Sequence, residues 1–250
     1  MTYKTSEFEG ERIAKIIARH GYCSRREAEE LIKQGSVKVN GKVIDSPAIN
    51  ITDQSIKINN KLINTKEETK LWIFNKPKGT VVSTAKDEKV PTIFSLLPRS
   101  MPRVISVGRL DINTEGLLLL TNNGELSDFI SSPKTAWTRQ YRVRVFGKLN
   151  KERFEALSKS GVVIDGIKYK PIKITVDKEG ERANSWLKVS ITEGKNREVK
   201  KIMEDLGLKV TRLIRTGFGP FHLGNLETGA LKEVSMKNLK ELIGDKVKLN

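Results

Sequence analysis

Arg109 and Asp111, two charged residues two positions apart, are the first candidates for chemistry in this chain. They stand in VGRLDINTEGLLLLTNNG, residues 107–124, ahead of Gly116, the run Leu117 to Leu120 and the dipeptide Asn123-Gly124. A carboxylate at the mouth of a rigid element can serve as a general base or a nucleophile while it stays ionised. Four consecutive leucines closed by Asn-Gly read as a strand buried on both faces, leading into a hairpin or tight loop. On pattern alone, an Asp ahead of such a strand is more often a turn or cap residue than a catalyst.

Other chemistries lack their parts. Two histidines, His20 and His222, and a single cysteine, Cys23, form no set of soft metal ligands, and one cysteine excludes an intramolecular disulfide. No GxxxxGK[ST] run is present. Gly217 and Gly219 begin the spacing of a dinucleotide fingerprint, but His222 replaces the third glycine, which leaves a loop beside a strand as the better reading. The expectation is chemistry without cofactor or metal.

The stretch GRLD followed by NTEGLLLLTNNG resembles the active-site motif of the pseudouridine synthases, specifically the branch that modifies ribosomal RNA. That resemblance implies that Asp111 is the essential catalytic residue. LWIFNKPKG, residues 71–79, resembles the first motif of the same family, with Pro77 and Gly79 fixing a turn and Asn75, Lys76 and Lys78 expected to stay exposed toward RNA. LKVSITEGKNREVKKIMEDLG, residues 187–207, resembles the third motif, in which a basic residue near a helix start pairs with the catalytic Asp. The matching position is Lys200, where the family more often has Arg; Lys carries the same sign as a point charge but lacks the planar two-pronged contact. Lys195 and Arg197 in the same loop are expected to meet phosphate.

In QYRVRVFG, residues 140–147, Tyr141, Val143 and Val145 fall on one face of a strand and Arg142 and Arg144 on the other. Alternation alone would make Tyr141 a core residue; the resemblance makes it the tyrosine that stacks on the target uracil. Arg109, by the same resemblance, either fills the space of a flipped base or holds the neighbouring phosphate, and a salt bridge within the fold is its other reading.

These residues need elements to hold them. Residues 11–20 put Ile13, Ile16 and Ile17 on one helical face and Arg12, Lys15 and Arg19 toward another. A second helix begins at Ser24, with Glu27 completing a capping box, and ends at Gly35. Val37, Val39, the Asn40-Gly41 turn and Val43 form a hairpin. RIAKIIARHGYCSRREAEELIKQGSVKVNGKVI, residues 12–44, resembles the S4 RNA-binding module, which implies an RNA-contacting surface from Arg12, Lys15, Arg19, Arg25, Arg26 and Lys38. An S4 domain over 10–64 and a catalytic domain over 70–250 are expected, joined through the polar stretch 61–70, KLINTKEETK.

Downstream, 80–106 reads as irregular, 126–130 as a short helix and 150–160 as a helix capped by Asn150. Strands are expected at 162–164, 168–176 and 184–192 and again from 210, then a strand and a last helix over 231–242. Successive strands without regular intervening helices argue for α+β, a mixed, mainly antiparallel sheet with flanking helices.

Lys and Arg outnumber Asp and Glu by 46 to 30, a formal charge of +16 with pI near 9.8. Residues 1–68 hold twelve cations against ten anions, so 69–250 hold 34 against 20 and carry +14 of that excess. Such a surface calls for a polyanion, RNA foremost. There is no helix-length apolar span and the first residues, MTYKTSEFEGER, lack a signal-peptide pattern, so a cytoplasmic protein off the membrane is expected. GRLDINTEGLLLLT and TRLIRTGFGPF resemble the large-subunit (23S) branch of the family more than the small-subunit (16S) branch. The expected partner is 23S ribosomal RNA or a ribosomal assembly particle, met by a monomer. The competing reading is a non-catalytic S4-containing ribosomal RNA-binding or assembly protein.

Overall fold

The computed structural model describes residues 10–63, 68–84, 89–180, 183–247 and 249. The amphipathic phase of the first helices is realised directly. Ile13, Ala14, Ile16 and Ile17 are buried along α1 (Ile13–Arg19). At the start of α2 (Arg25–Lys33), the Ser24 hydroxyl accepts from Glu27 N while the Glu27 carboxylate accepts from Ser24 N. Those reciprocal bonds satisfy two backbone donors that a helix start otherwise leaves bare.

Asn40 and Gly41, at φ of 48° and 83°, turn β1 (Val37–Val39) into β2 (Lys42–Val43). Two further strands, β3 (Ile56–Ile58) and β4 (Lys61–Leu62), complete a four-stranded sheet in the order β2-β1-β3-β4. Helices and sheet share one apolar core drawn from Ile13 to Ile58. The expected linker 61–70 is shorter than read: Lys61 and Leu62 already belong to β4, 64–67 lie outside the described residues, and Lys70 N donates to Asn122 Oδ1 of the next unit.

The second unit is built on a nine-stranded sheet. Its main strands are β5 (Leu71–Lys76), β6 (Thr114–Thr121), β7 (Arg139–Phe146), β8 (Lys173–Glu179), β9 (Asn184–Ile191), β10 (Lys209–Phe218) and β11 (Leu231–Val234). They lie in the order β8-β9-β7-β10-β6-β5-β11, and the short strands Ile105–Ser106 and Phe221–His222 pair with β6 and β10. Among the described strands only β6 and β10 run parallel; the other pairings are antiparallel. The architecture is the α+β one expected, with a mixed, mainly antiparallel sheet.

Leu117, Leu118, Leu119 and Leu120 are each fully buried, two facing each way. On one side Leu117 and Leu119 pack with α3 (Gly124–Ser131) and α6 (Met236–Ile243); on the other Leu118 and Leu120 pack under the irregular segment that carries Ile93, Val104 and Leu110. In the other half, Val143, Val145, Leu187, Val189 and Leu213 pack on one face against α4 (Lys151–Ser160) and α5 (Glu198–Asp205).

Two readings are corrected. Of the hairpin or tight loop expected at Asn123-Gly124, the hairpin is absent and the strand passes through a tight connection into a helix: Asn123 Oδ1 accepts from Glu125 N and Leu126 N and starts α3, because Asn satisfies bare helix donors as well as it makes turns. The strand expected at 168–176 is two strands. Ile167–Tyr169 pairs with Val162–Ile164 through Asp165 and Gly166 at positive φ, and β8 begins only at Lys173, because Pro171 offers no donor to a ladder.

Candidate active site

Asp111 sits in the turn that feeds β6, where Thr114 N donates to the Asp111 carbonyl at 3.0 Å and Gly79 N to the Ile112 carbonyl at 2.8 Å. From the facing half of the sheet, α5 presents Lys200, whose Nζ donates to Asp111 Oδ2 at 2.9 Å. The Lys200 side chain is 12% exposed and that of Asp111 39%, so the cation is tucked behind a carboxylate that reaches solvent.

Gly116 makes this meeting possible. It lies at φ +98°, opposite Arg215 in the parallel pairing of β6 with β10, and a Cβ there would stand 2.3 Å from the Arg215 carbonyl oxygen. Only glycine allows that backbone approach two residues beyond the start of β6.

One cavity of about 220 Å³ collects Arg109, Asp111, Tyr141, Lys195, Arg197 and Lys200. Tyr141 is half-buried on β7, paired with Val189 on one side and Arg215 on the other. Arg197, at φ 54°, forms the N-cap position of α5 and is exposed. Lys195 is exposed as well, but its Nζ donates to the Lys168 carbonyl and pairs with Glu193. The sequence therefore named six residues that the fold brings to one place.

Lys76 is a correction. Expected among RNA-facing cations, it is fully buried, and its Nζ donates to the carbonyls of Pro77 at 3.0 Å, Ile112 at 3.4 Å and Thr114 at 3.0 Å. Burial pushes its ammonium down to about 8, with Asp111 and Glu115 pulling the other way. All six residues of β5 are covered, so Asn75 is buried too, its side chain donating to the Leu226 carbonyl; Lys78, past the strand, stays exposed. What Lys76 does is hold the backbone on both sides of Asn113 behind Asp111.

The S4 cations are not in this cavity. Arg12, Arg25 and Arg26 are exposed, while Lys38 donates to Asn60 Oδ1 at 2.9 Å. Arg19 pairs with Glu11, and Lys15 pairs with Glu11 and, across the junction with the second unit, with Glu125 at 3.0 Å. A separate groove at that junction is lined by Lys15, Arg19, Arg25, Arg103 and Asp128.

Three cavity residues escaped the sequence reading. Arg139 and Arg215 are buried on either side of Tyr141's strand position, with their guanidinium carbons 4.7 and 5.2 Å from the Phe218 ring centre. Arg139 Nη1 donates to the carbonyls of Trp137 and Thr192, and Arg215 Nε to that of Leu117 at 2.7 Å. Arg215 Nη2 finds no hydrogen-bond partner among the described residues; burial pulls the guanidinium pKa down, while the Tyr141 phenol, which interacts with the same side chain, pulls the other way.

The third is Glu198, 3% exposed. Its Oε2 accepts from Lys195 N at 2.9 Å and its Oε1 has no partner among the described residues. Burial, aided by the neighbouring Glu193 carboxylate, pushes its pKa up to about 7. A signal for the arginines was present: Arg139 is in phase with Val143 and Val145, and Arg215 with Leu213, so each is a charge on the apolar phase of its strand.

The chemistry available is that of an ionised carboxylate beside a fixed ammonium, with an aromatic ring and buried donors around a space for one small ring system. Among the described residues no group of three His, Cys, Asp or Glu could hold a metal ion, and no helix is long and apolar enough to cross a membrane.

Comparison with known proteins agrees with this layout. The family model described as RNA pseudouridylate synthase matches residues 70–205, and the S4 domain model matches 11–55. An uncharacterized RNA pseudouridine synthase of Rickettsia typhi is 43% identical over 240 residues, covering 94% of this chain and 96% of that protein. The ribosomal large subunit pseudouridine synthase B of Buchnera aphidicola is 38% identical over 240 residues, covering 93% of this chain and 96% of its own. A crystal structure of a pseudouridylate synthase superposes with a TM-score of 0.64 at 29% identity, over 92% of this chain and 99% of that one. The chain, an S4 domain followed by the sheet that carries Asp111, belongs to the RNA pseudouridylate synthase family.

Proposed function

We propose that the protein converts a uridine of large-subunit ribosomal RNA to pseudouridine, with Asp111 as its catalytic carboxylate. The observation that carries this reading is the 2.9 Å pair of Asp111 with Lys200 in the cavity that Tyr141 also lines. The large-subunit substrate rests on the name of the Buchnera relative and on its near-complete coverage of both chains.

The reaction breaks the N1–C1′ bond, turns the uracil and joins C5 to C1′; the C5 proton leaves and N1 regains one, so product and substrate are isomers. No oxidant or group donor takes part. Asp111 acts on the ribose in its ionised form, whether it attacks C1′ or removes a sugar proton to give a glycal. Lys200 fixes the carboxylate and its charge.

A uracil stacked in a helix is out of reach, so the nucleotide leaves the stack at a cost of a few kcal/mol. The cavity of about 220 Å³ suits one extruded base. Stacking on Tyr141 returns about 1–3 kcal/mol. Arg215 Nη2 supplies the donor for a uracil carbonyl oxygen, since a buried guanidinium nitrogen without a partner is costly until something accepts from it. Arg109, Lys195 and Arg197, which line the rim, hold phosphate.

The test is incubation of an unmodified large-subunit ribosomal RNA transcript with the protein and no added cofactor, followed by site-resolved pseudouridine mapping. One uridine, or a small cluster, is expected to convert. Free uracil with abasic RNA would mean a hydrolase, and binding without any modification would mean an RNA-binding protein; either result overturns the proposal.

A further inference from the structure

Among the described residues, the half of the large sheet that carries Tyr141 is covered on only one face. Tyr141, Val143 and Val145 of β7 point toward α4 and α5, while Gln140, Arg142, Arg144 and Phe146 point the other way and are all exposed. Register extends that outer face across four strands. Arg142 pairs with Lys188 of β9 and Ile214 of β10, Arg144 with Trp186 and Arg212, and Lys173 of β8 lies beside Ser190.

The result is a bare sheet surface bearing Arg142, Arg144, Lys173, Lys188 and Arg212. Two carboxylates offset them: Asp177 pairs with Arg142 at 2.8 Å and Lys188 at 2.9 Å, and Glu115 pairs with Arg212 at 2.8 Å. Neither Arg144 nor Lys173 forms an ion pair among the described residues. Two aromatic side chains accompany the charges. Phe146 is 50% exposed, and the Arg142 guanidinium carbon lies 4.5 Å from the Trp186 ring centre.

Packing explains none of this. An antiparallel sheet that has one face on the core tolerates a polar outer face, but mixed charges would keep it soluble, and an excess of cations along one strand repels itself. Alternate residues of a strand stand about 6.8 Å apart, so Arg142 and Arg144 form a regular row of cations beside aromatic rings. Cationic sheets with accessible rings suit a phosphate backbone whose bases can stack.

The geometry points to this face as a second RNA surface, which grips the phosphate backbone of the substrate at a distance from the nucleotide in the cavity. Tyr141 and Arg142 are neighbours on opposite faces of β7, so RNA held here must pass around an edge of the sheet. A minimal hairpin that fills the cavity is too short to do both, and a long transcript is not. The inference takes RNA as partner from the proposed function, but its readout is binding and needs no turnover.

The experiment uses the full chain with Arg144→Gln and Lys173→Gln combined, which breaks no ion pair among the described residues and replaces no cavity residue. Binding is measured from 50 to 200 mM salt with a long ribosomal RNA domain transcript, a minimal hairpin and a polyglutamate peptide. For the long transcript the affinity should fall about tenfold and the salt slope by about 1.4–1.8, since each of the two lost phosphate contacts contributes roughly 0.7–0.9. Hairpin affinity, and its turnover where turnover is seen, should stay within about twofold of wild type. Unchanged binding of the long transcript overturns the inference. So does an equal loss on hairpin and transcript, which would be a general field effect, or a loss confined to polyglutamate, which would mark an acidic protein as the partner. Absence of pseudouridine with every RNA would sink the proposed function and leave this measurement intact.

Discussion

The two halves of the large sheet solve different problems. The half with β5 and β6 is buried on both faces and ends in the Asp111 turn, which is held from behind by a lysine with no exposure at all. The half with β7 to β10 is covered, among the described residues, on one face only and supplies Tyr141, Lys200 and the buried arginines to the shared cavity. One half gives the carboxylate a fixed address, and the other gives it charge, a ring and a surface. The two lysines show the same division: Lys76 serves the backbone around Asp111, and Lys200 the carboxylate itself.

The sheet tolerates change least at the joint between the halves. Gly116→Ala sets a Cβ 2.3 Å from a backbone oxygen at φ +98°. The expected loss is about 4 kcal/mol or more, a large share of what holds a domain together. Denaturant unfolding reads it, and a loss under about 1 kcal/mol would mean the strands can part there at little cost.

The lysines sharpen the division. Lys200→Met should leave stability within about 1 kcal/mol of wild type and cut the rate of pseudouridine formation by about 10²–10³, the scale for a lost electrostatic partner at a reacting centre. Lys76→Met should lower stability by about 2–3 kcal/mol because two or three carbonyls lose a buried donor. Its activity should fall through kcat as the Asp111 turn loosens. Paired measurement of unfolding and turnover separates the two, and reversed profiles would remove the distinction.

Glu198 gives a smaller and pH-dependent effect. With a pKa near 7 in the fold against 4.5 for an ordinary Glu, the native state keeps a proton that the unfolded chain has released between about pH 4.5 and 7. Stability therefore falls as pH rises through that window, and the full cost is present above 7. Glu198→Gln, which keeps an acceptor for Lys195 N, should raise stability by about 1–3 kcal/mol at pH 8 and change nothing at pH 4. An equal shift at both pH values would mean that Glu198 acts by packing rather than by charge.

The smallest effect belongs to the joint with the S4 domain. The Lys15 pairs with Glu125 and with Glu11 are both partly exposed, so Lys15→Met, which removes both, should cost no more than about 1 kcal/mol, and less at high salt. Thermal unfolding at two salt concentrations measures it.

Most of the architecture is legible in the sequence because it is local. The Ser24–Glu27 capping box, the Asn40-Gly41 turn and the four leucines each state their geometry within a few residues. Asp111, Tyr141 and Lys200 came from resemblance, since alternation alone would have made Tyr141 a core residue and Asp111 a turn. What misled the reading was non-local. Lys76 looks like a surface cation until the Asp111 turn folds over it, and Asn123-Gly124 looks like a hairpin until a helix needs its cap. Arg139, Arg215 and Glu198 were passed over because a charge on an apolar phase gains meaning only when a cavity lies in front of it.

The most direct measurement on the central claim is single-turnover pseudouridine formation by Asp111→Asn beside wild type, with RNA affinity measured on the same preparations. The exchange keeps the shape of the side chain and removes its charge. RNA binding within about threefold of wild type with no detectable pseudouridine is the predicted result, and an Asp111→Asn protein that still modifies the RNA at a rate near wild type would contradict it.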